Sequence, residues 1–153
     1  MSLSLPVFEL RNVKRFFYYF LAFNALVSIV SIIIKALFTF NIPGDNLITN
    51  NTWPILIILL VASYAVGWKS KKELKTVLKT SDIEVQFVKY ETYYKRKLVW
   101  NAFSIVVSAV FFLVTNKYLF FYILITQMIL SIAFYPRNKL ISTELKNAEI
   151  VFA

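Results

Sequence analysis

A serine and a lysine stand one helical turn apart inside an otherwise apolar stretch, and their types and spacing could support nucleophilic chemistry. The stretch reads SIIIKALFTF and places Ser31 and Lys35 at positions i and i+4. On one face of a helix, these two side chains could form a Ser–Lys nucleophilic pair. No nearby group supplies an obvious oxyanion site, so we predict no catalytic residue and no enzymatic activity.

Lys35 has two interpretations, because a charge inside an apolar run is costly. It lies five residues before Phe40, so its backbone would sit roughly 7–8 Å below the outer end of a membrane helix. The methylene stem can carry the ammonium to the headgroups, which favours an anchor at the outer interface. The alternative is a position that faces the helix bundle together with Ser28 and Ser31.

Small polar residues recur at helical spacing in several apolar stretches. They are typical of helix–helix packing, in which small side chains allow close approach and polar groups bond across the interface. A polar lumen or a ligand site is the alternative. Ser63 and Gly67 add a small-xxx-small pair. The candidate stripe consists of Asn24, Ser28, Ser31, Lys35, Asn101, Ser104, Ser108, Gln127 and Ser131.

Several residue types are absent, and each absence removes a kind of site. The chain contains no cysteine and no histidine, and its apolar stretches contain no aspartate or glutamate. Thiolate and imidazole metal sites, serine–histidine catalysis and carboxylate proton relays inside the membrane are therefore excluded. We predict that the protein binds neither a metal nor a cofactor.

The elements that must position these side chains are membrane helices. The chain has 153 residues, of which 59% are hydrophobic, more than a soluble domain of this size can bury. Four apolar stretches with aromatic ends cover residues 16–40, 53–68, 98–114 and 118–135. We predict an all-α integral membrane protein whose four transmembrane helices form one antiparallel bundle, the first helix being an uncleaved span.

Basic residues predict the orientation. Nine lysines and arginines lie in the segment 69–97 and others flank both ends of the chain, whereas the predicted outer loop 41–52 contains none. By the positive-inside rule, the segment 69–97 and both termini are cytoplasmic. The Lys-, Ile- and Asn-rich composition points to a bacterium, and hence to the inner membrane.

The segment 69–97 also has two interpretations. It is either a solvated face or a surface that docks on anionic lipid headgroups or an acidic partner. Binding to nucleic acid is not expected, because lipid phosphate is the nearer anion. The candidate lipid contacts are Lys69, Lys71, Lys72, Lys95, Arg96 and Lys97.

Two cytoplasmic helices are expected. Ser81 and Glu84 form a capping-box pattern, which predicts that the third helix runs from Asp82 to Val114 and extends into the cytoplasm. A short C-terminal helix is predicted over residues 137–147, after Pro136.

Several short motifs lie between residues 89 and 145. They are the pair Lys89-Tyr90, the turn Thr115-Asn116 with the following Leu119-Phe120, and Pro136 with Lys139. Over these residues, a little over a third of the chain, the sequence resembles an uncharacterised group of small four-span membrane proteins of Bacteroidota. The resemblance implies a topology and an origin, and no activity.

Three function classes remain open. The favoured one is a non-catalytic subunit or assembly partner of a larger membrane complex, or a homo-oligomer, because the spans offer small polar faces and no catalytic groups. The second is a small oligomeric channel or transport component lined by Asn24, Ser28 and Ser31. The third is a lipid-modifying enzyme at the cytoplasmic rim, for which no motif is present.

Overall fold

Helices make up most of the residues that the structure describes. The structure is a computed structural model that describes residues 7–38, 52–115, 117–146 and 150–152. These residues are α-helical apart from one pair of two-residue strands and short connections, in agreement with the all-α prediction. In chain order the elements are β1 (Val7–Phe8), α1 (Leu10–Leu37), α2 (Thr52–Leu78), α3 (Ile83–Thr115), α4 (Tyr118–Ala133), α5 (Asn138–Leu145) and β2 (Val151–Phe152).

Three helices are long and apolar enough to cross a membrane. The most apolar windows of α1, α2 and α3 have mean hydropathies of 2.2, 1.5 and 2.1. The helix α4 has 16 residues, or about 24 Å by the helical rise, and reaches span length only together with α5 across a bend of 83°. The described residues therefore hold three candidate spans, or four if this bent pair is one.

The helix α4 ends at Ala133, two residues before the predicted end of the fourth span. The reason is Pro136, which lacks a backbone N–H and disfavours helical geometry in the residue before it. The chain therefore turns at Pro136 and begins α5 at Asn138.

The two helices beside the predicted cytoplasmic segment are longer than a bilayer requires. The helix α2 continues ten residues past Trp68, and the 33 residues of α3 extend about 50 Å against a hydrocarbon core of about 30 Å. At the start of α3, Asp82 Oδ1 accepts hydrogen bonds from the amides of Glu84 (2.9 Å) and Val85 (3.3 Å). The cap is therefore Asp82, and the predicted capping box at Ser81 is wrong by one residue.

The packing is centred on α3, which contacts α1, α2 and α4. The buried hydrophobic side chains of the described residues form two clusters. We name them upper, beside the C-terminal half of α3, and lower, beside its N-terminal half. The upper cluster consists of Ile105, Ala109, Phe112, Phe120 and Leu124. The lower cluster consists of Phe8, Leu10, Val13, Phe17, Phe20, Val77, Phe87, Tyr90, Tyr93, Tyr94, Leu98, Ile141, Leu145 and Ile150.

The two strands bring the ends of the chain together, which the sequence did not predict. The strands β1 and β2 are parallel, with Val7 opposite Val151 and Phe8 opposite Phe152. Phe8 is buried, and its ring meets Phe87 edge-on at 5.1 Å between centroids. Both terminal segments therefore lie at the end of the molecule that contains the lower cluster.

Some predictions concern residues that the structure does not describe. The predicted outer loop 41–52 falls almost entirely among these residues, as do Asn116 in the turn before α4 and residue 147 at the end of the C-terminal helix. The described part of that last helix is Asn138–Leu145, and the left-handed residue Lys146 (φ 54°) ends it.

Candidate functional site

A layer of hydrogen-bonded polar side chains lies between the two clusters and joins α1, α3 and α4. Asn24 donates from Nδ2 to Ser131 Oγ at 3.3 Å. The same Ser131 Oγ lies 3.0 Å from Asn101 Oδ1 and 2.9 Å from the Gln127 carbonyl, so its single proton has two acceptors. Ser131 is therefore the residue at which the three helices meet.

Gln127 extends this network along α3. Its amide Nε2 donates to Ser104 Oγ at 3.0 Å, and its Oε1 accepts from Ser108 Oγ at 3.0 Å. The structure thus places six of the nine predicted stripe residues in one network. All six side chains are amides or hydroxyls, so the network has no group that titrates near neutral pH.

One atom of this network is unsatisfied. In the part of the chain that the structure describes, Asn24 Oδ1 is the one buried side-chain oxygen or nitrogen without a hydrogen-bond partner. Asn24 is fully buried, so its unpaired Oδ1 carries the full free-energy cost of desolvation. The hydrogen bond to Ser131 offsets this cost for Nδ2.

The remaining stripe residues bond elsewhere. Ser28 donates to the carbonyl of Asn24 at 2.8 Å, and Ser31 donates to the carbonyl of Val27 at 2.7 Å, both within α1. Because its hydroxyl proton is directed to a carbonyl of its own helix, Ser31 is not arranged as an activated nucleophile.

Lys35 reaches the end of a neighbouring helix. Its Nζ donates to the carbonyl of Leu113 at 2.9 Å and lies 6.0 Å from the centroid of the Phe112 ring. Leu113 is among the last four residues of α3, whose carbonyls have no partner within the helix. A cation at this position also complements the negative end of the helix dipole. Lys35 thus contacts the C-terminal end of α3, a geometry that combines features of both interpretations.

A second polar cluster, formed around Glu144 of α5, lies at the lower end of the molecule. Tyr90 donates to Glu144 Oε2 at 2.6 Å, and Lys97 lies 3.2 Å from Glu144 Oε1. Tyr90 precedes the apolar segment 98–114. Burial, with the Glu144 carboxylate beside it, raises the pKa of the Tyr90 phenol, which therefore remains a hydrogen-bond donor. Sequence reasoning missed Glu144, because nothing in the sequence relates α5 to α3.

A groove of about 610 Å³ separates the middle of α2 from α3. The helix α2 packs on the upper cluster through Ile55, Leu56 and Leu59, and on the lower cluster through Leu74. Between these contacts, Ser63 and Gly67 line the groove and do not form the close helix contact that their spacing predicts.

The predicted lipid contacts divide between the groove and other surfaces. Lys69, Lys71, Arg96 and Lys97 line the groove, together with the carboxylates of Glu73 and Glu144. The other two lie elsewhere: Lys72 stacks on the ring of Trp68, and Lys95 pairs with Glu91 at 2.6 Å. Among the described residues, no group of three or more His, Cys, Asp or Glu side chains is placed to hold a metal ion.

Among the described residues, three helices, or four if the bent pair is one span, are long and apolar enough to cross a membrane, which is consistent with a multi-pass membrane protein. No protein-family model, curated protein or solved structure matches the chain. Any function must therefore be inferred from the geometry.

Proposed function

We propose that the protein is a non-catalytic integral membrane protein that acts as a subunit or assembly partner of a membrane complex, or assembles with copies of itself. One observation carries the proposal. No residue in the apolar window of α2 is buried, whereas 22% of the α1 window and 33% of the α3 window are buried. A span that buries so little within its own chain has a face available to another membrane protein.

The free face of α2 has a composition suited to such a contact. It points away from the groove and carries aromatic residues along its whole apolar length, and aromatic side chains are enriched in protein interfaces. We define this outer face of α2 by the exposed residues Trp53, Ile57, Leu60, Val61, Tyr64 and Trp68.

The burial of the polar stripe supports a role in helix packing and argues against a role in lining a pore. A pore formed by several copies and lined by Asn24, Ser28 and Ser31 would need these side chains at the protein surface. All three are buried inside the chain, and Asn24 bonds to α4. The oligomeric channel is therefore the less favoured function.

We further propose that the protein lies in a bacterial inner membrane with both termini in the cytoplasm. The formal net charge of +9 and the nine basic residues of the segment 69–97 support this orientation. The pairing of β1 with β2 is compatible with it, since both terminal segments lie at the same end of the molecule.

Photo-crosslinking in intact membranes tests the assembly. A photoreactive phenylalanine analogue at Tyr64 replaces one exposed aromatic ring by another and leaves the packing of α2 on α3 unchanged. We expect a discrete crosslinked protein band, because Tyr64 belongs to the outer face of α2. A band at twice the mass of the chain identifies a homo-oligomer, and another mass identifies a foreign subunit.

Tyr122 of α4 supplies the matched control. It is also an exposed aromatic residue, 64% exposed against 79% for Tyr64, and it lies on a different helix. The same analogue at Tyr122 should give no protein band of comparable yield. Lipid adducts alone at Tyr64, or equal bands at both positions, would contradict the proposal.

A further inference from the structure

The groove between α2 and α3 has two chemically different ends. One end lies beside the apolar part of both helices and is lined by Val66, Gly67, Phe103 and Val107. The other end lies where α2 passes from Trp68 into its basic continuation, and there the groove is lined by charged side chains. A single cavity thus changes from hydrocarbon-like to ionic along its length.

The charged end has a positive excess. Four cations line it, namely Lys69, Lys71, Arg96 and Lys97, against two carboxylates. The carboxylates are already engaged: Arg96 Nη1 lies 2.9 Å from Glu73 Oε1, and Lys97 pairs with Glu144. The charges of Lys69 and Lys71 therefore remain to bind an anion, and both side chains are exposed.

Open space lies beside Gly67 at the apolar end of the groove. A Cβ atom added to Gly67 would meet no atom within 4 Å, so the glycine is not required for close packing against α3. Glycine inside a helix costs about 1 kcal/mol relative to alanine. The missing side chain leaves space on the groove side of α2, beside Ser63 and Val66.

We propose that this groove binds one anionic glycerophospholipid. The phosphate lies between the ammonium groups of Lys69 and Lys71, near the guanidinium of Arg96. One acyl chain follows the apolar end past Gly67. The site goes beyond the assembly role proposed above, and its apolar lining on α2 shares no residue with the outer face of that helix.

The chemistry of the lining favours a lipid over a membrane helix of another protein, because one end of the groove is cationic and the other is apolar. The groove offers about 610 Å³, within the common range of small-molecule pockets, about 300–1,000 Å³. A membrane helix bound in the groove would bring an apolar surface against the unpaired cations of the ionic end, whereas a lipid phosphate would neutralise these cations.

Native mass spectrometry tests the site on the full chain. The protein is reconstituted in nanodiscs of equimolar palmitoyl-oleoyl phosphatidylglycerol and phosphatidylcholine, released, and examined for retained lipid. We expect one phosphatidylglycerol per chain, in preference to phosphatidylcholine. The variant Lys69→Gln/Lys71→Gln should lower the ratio of retained phosphatidylglycerol to phosphatidylcholine roughly tenfold, by the loss of two cations near the phosphate.

A charge-matched variant is the control. Lys75 and Lys79 are exposed on the same helix and the following turn and do not line the groove. The variant Lys75→Gln/Lys79→Gln removes the same net charge and should retain the wild-type lipid ratio. An equal loss in both variants would mean that general surface charge, and not the groove, selects the lipid.

Gly67→Leu tests the acyl-chain end separately. The leucine side chain enters open space, so the thermal midpoint should be unchanged or higher, while lipid retention falls for both headgroups. Gly67→Ala adds one methyl and should retain the lipid. Undiminished phosphatidylglycerol in Gly67→Leu, or a crosslink from Gly67→Cys to another protein, would overturn the proposal.

Discussion

Ser131 shows how one hydroxyl can organise three membrane helices. It accepts from Asn24 on α1 and approaches Asn101 on α3, while its own helix offers the Gln127 carbonyl. Hydrogen bonds between membrane helices are individually modest, averaging about 0.6 kcal/mol. Loss of a shared partner is more costly, because it leaves several buried groups unpaired at once.

Ser131→Ala should therefore destabilise the fold by about 1–2 kcal/mol, since it strands Asn24 Nδ2 and removes the donor to Asn101. Ser28→Ala is the matched control, because Ser28 is equally buried but bonds to a carbonyl of its own helix. We expect Ser28→Ala to cost less than about 0.5 kcal/mol. The measurement is reversible unfolding in mixed detergent micelles, followed by circular dichroism. Equal losses would show that the network is not cooperative.

The helix α3 is the structural axis of the molecule. Its first half lies in the lower cluster with Phe8 of β1 and Ile141 of α5, and its second half lies in the upper cluster with Phe120 of α4. Its N-terminus is fixed by the Asp82 cap, and one of its last carbonyls is bonded to Lys35. A break in this one helix should therefore disturb both clusters.

Val88→Pro should produce such a break. Proline removes a helical hydrogen bond and clashes one turn back, at a cost of about 3 kcal/mol or more. Val88 is itself exposed, so little packing is lost with its side chain. We expect a strongly reduced yield of monodisperse protein on size-exclusion chromatography. Ser81→Pro, in the connection before the cap, should be tolerated; comparable losses from both would mean that α2 and α3 are not divided there.

The sequence predicted well those elements whose signal is local. Apolar length and helical spacing were enough for α1, α2 and α3, and polar spacing singled out the residues that form the central network. Pairings across long sequence separations were not predictable. Val7 and Val151 pair as two-residue strands, and Glu144 reaches Tyr90, without any periodic pattern that relates these segments.

The groove shows that residue spacing alone does not predict whether two helices make a close contact. Ser63 and Gly67 have the spacing of a close helix contact, but whether a neighbour approaches depends on where α2 is held at its two ends. Those contacts, Ile55, Leu59 and Leu74, pack against clusters to which distant parts of the chain contribute. A local motif therefore predicts that close approach is possible, and the tertiary fold decides whether it happens.

On the scale of the whole molecule, the charge distribution predicts one orientation, and the pairing of the chain ends is compatible with it. The basic continuation of α2, the first half of α3 and the paired strands β1 and β2 all belong to the lower end. Burying these charges in hydrocarbon would be costly, so the lower end should remain on the side where basic residues are retained.

Impermeant thiol labelling of intact cells tests this orientation, and the chain has no cysteine that would give a background signal. Single cysteines at Ser81 and Arg137, both exposed at the lower end, should label only after the cells are permeabilised. Cysteines at Asn46 and Asn116, which the sequence places in the two outer loops, should label directly.

The four variants distinguish two ways in which the predicted topology could be wrong. If all four patterns are reversed, the orientation is inverted while the number of crossings is kept. If Arg137 labels directly, as Asn46 and Asn116 do, the bent pair of α4 and α5 does not complete a span, and the chain has three crossings. Because the paired strands hold both termini at one end, that second outcome would also require the β1–β2 pairing to be lost in the membrane.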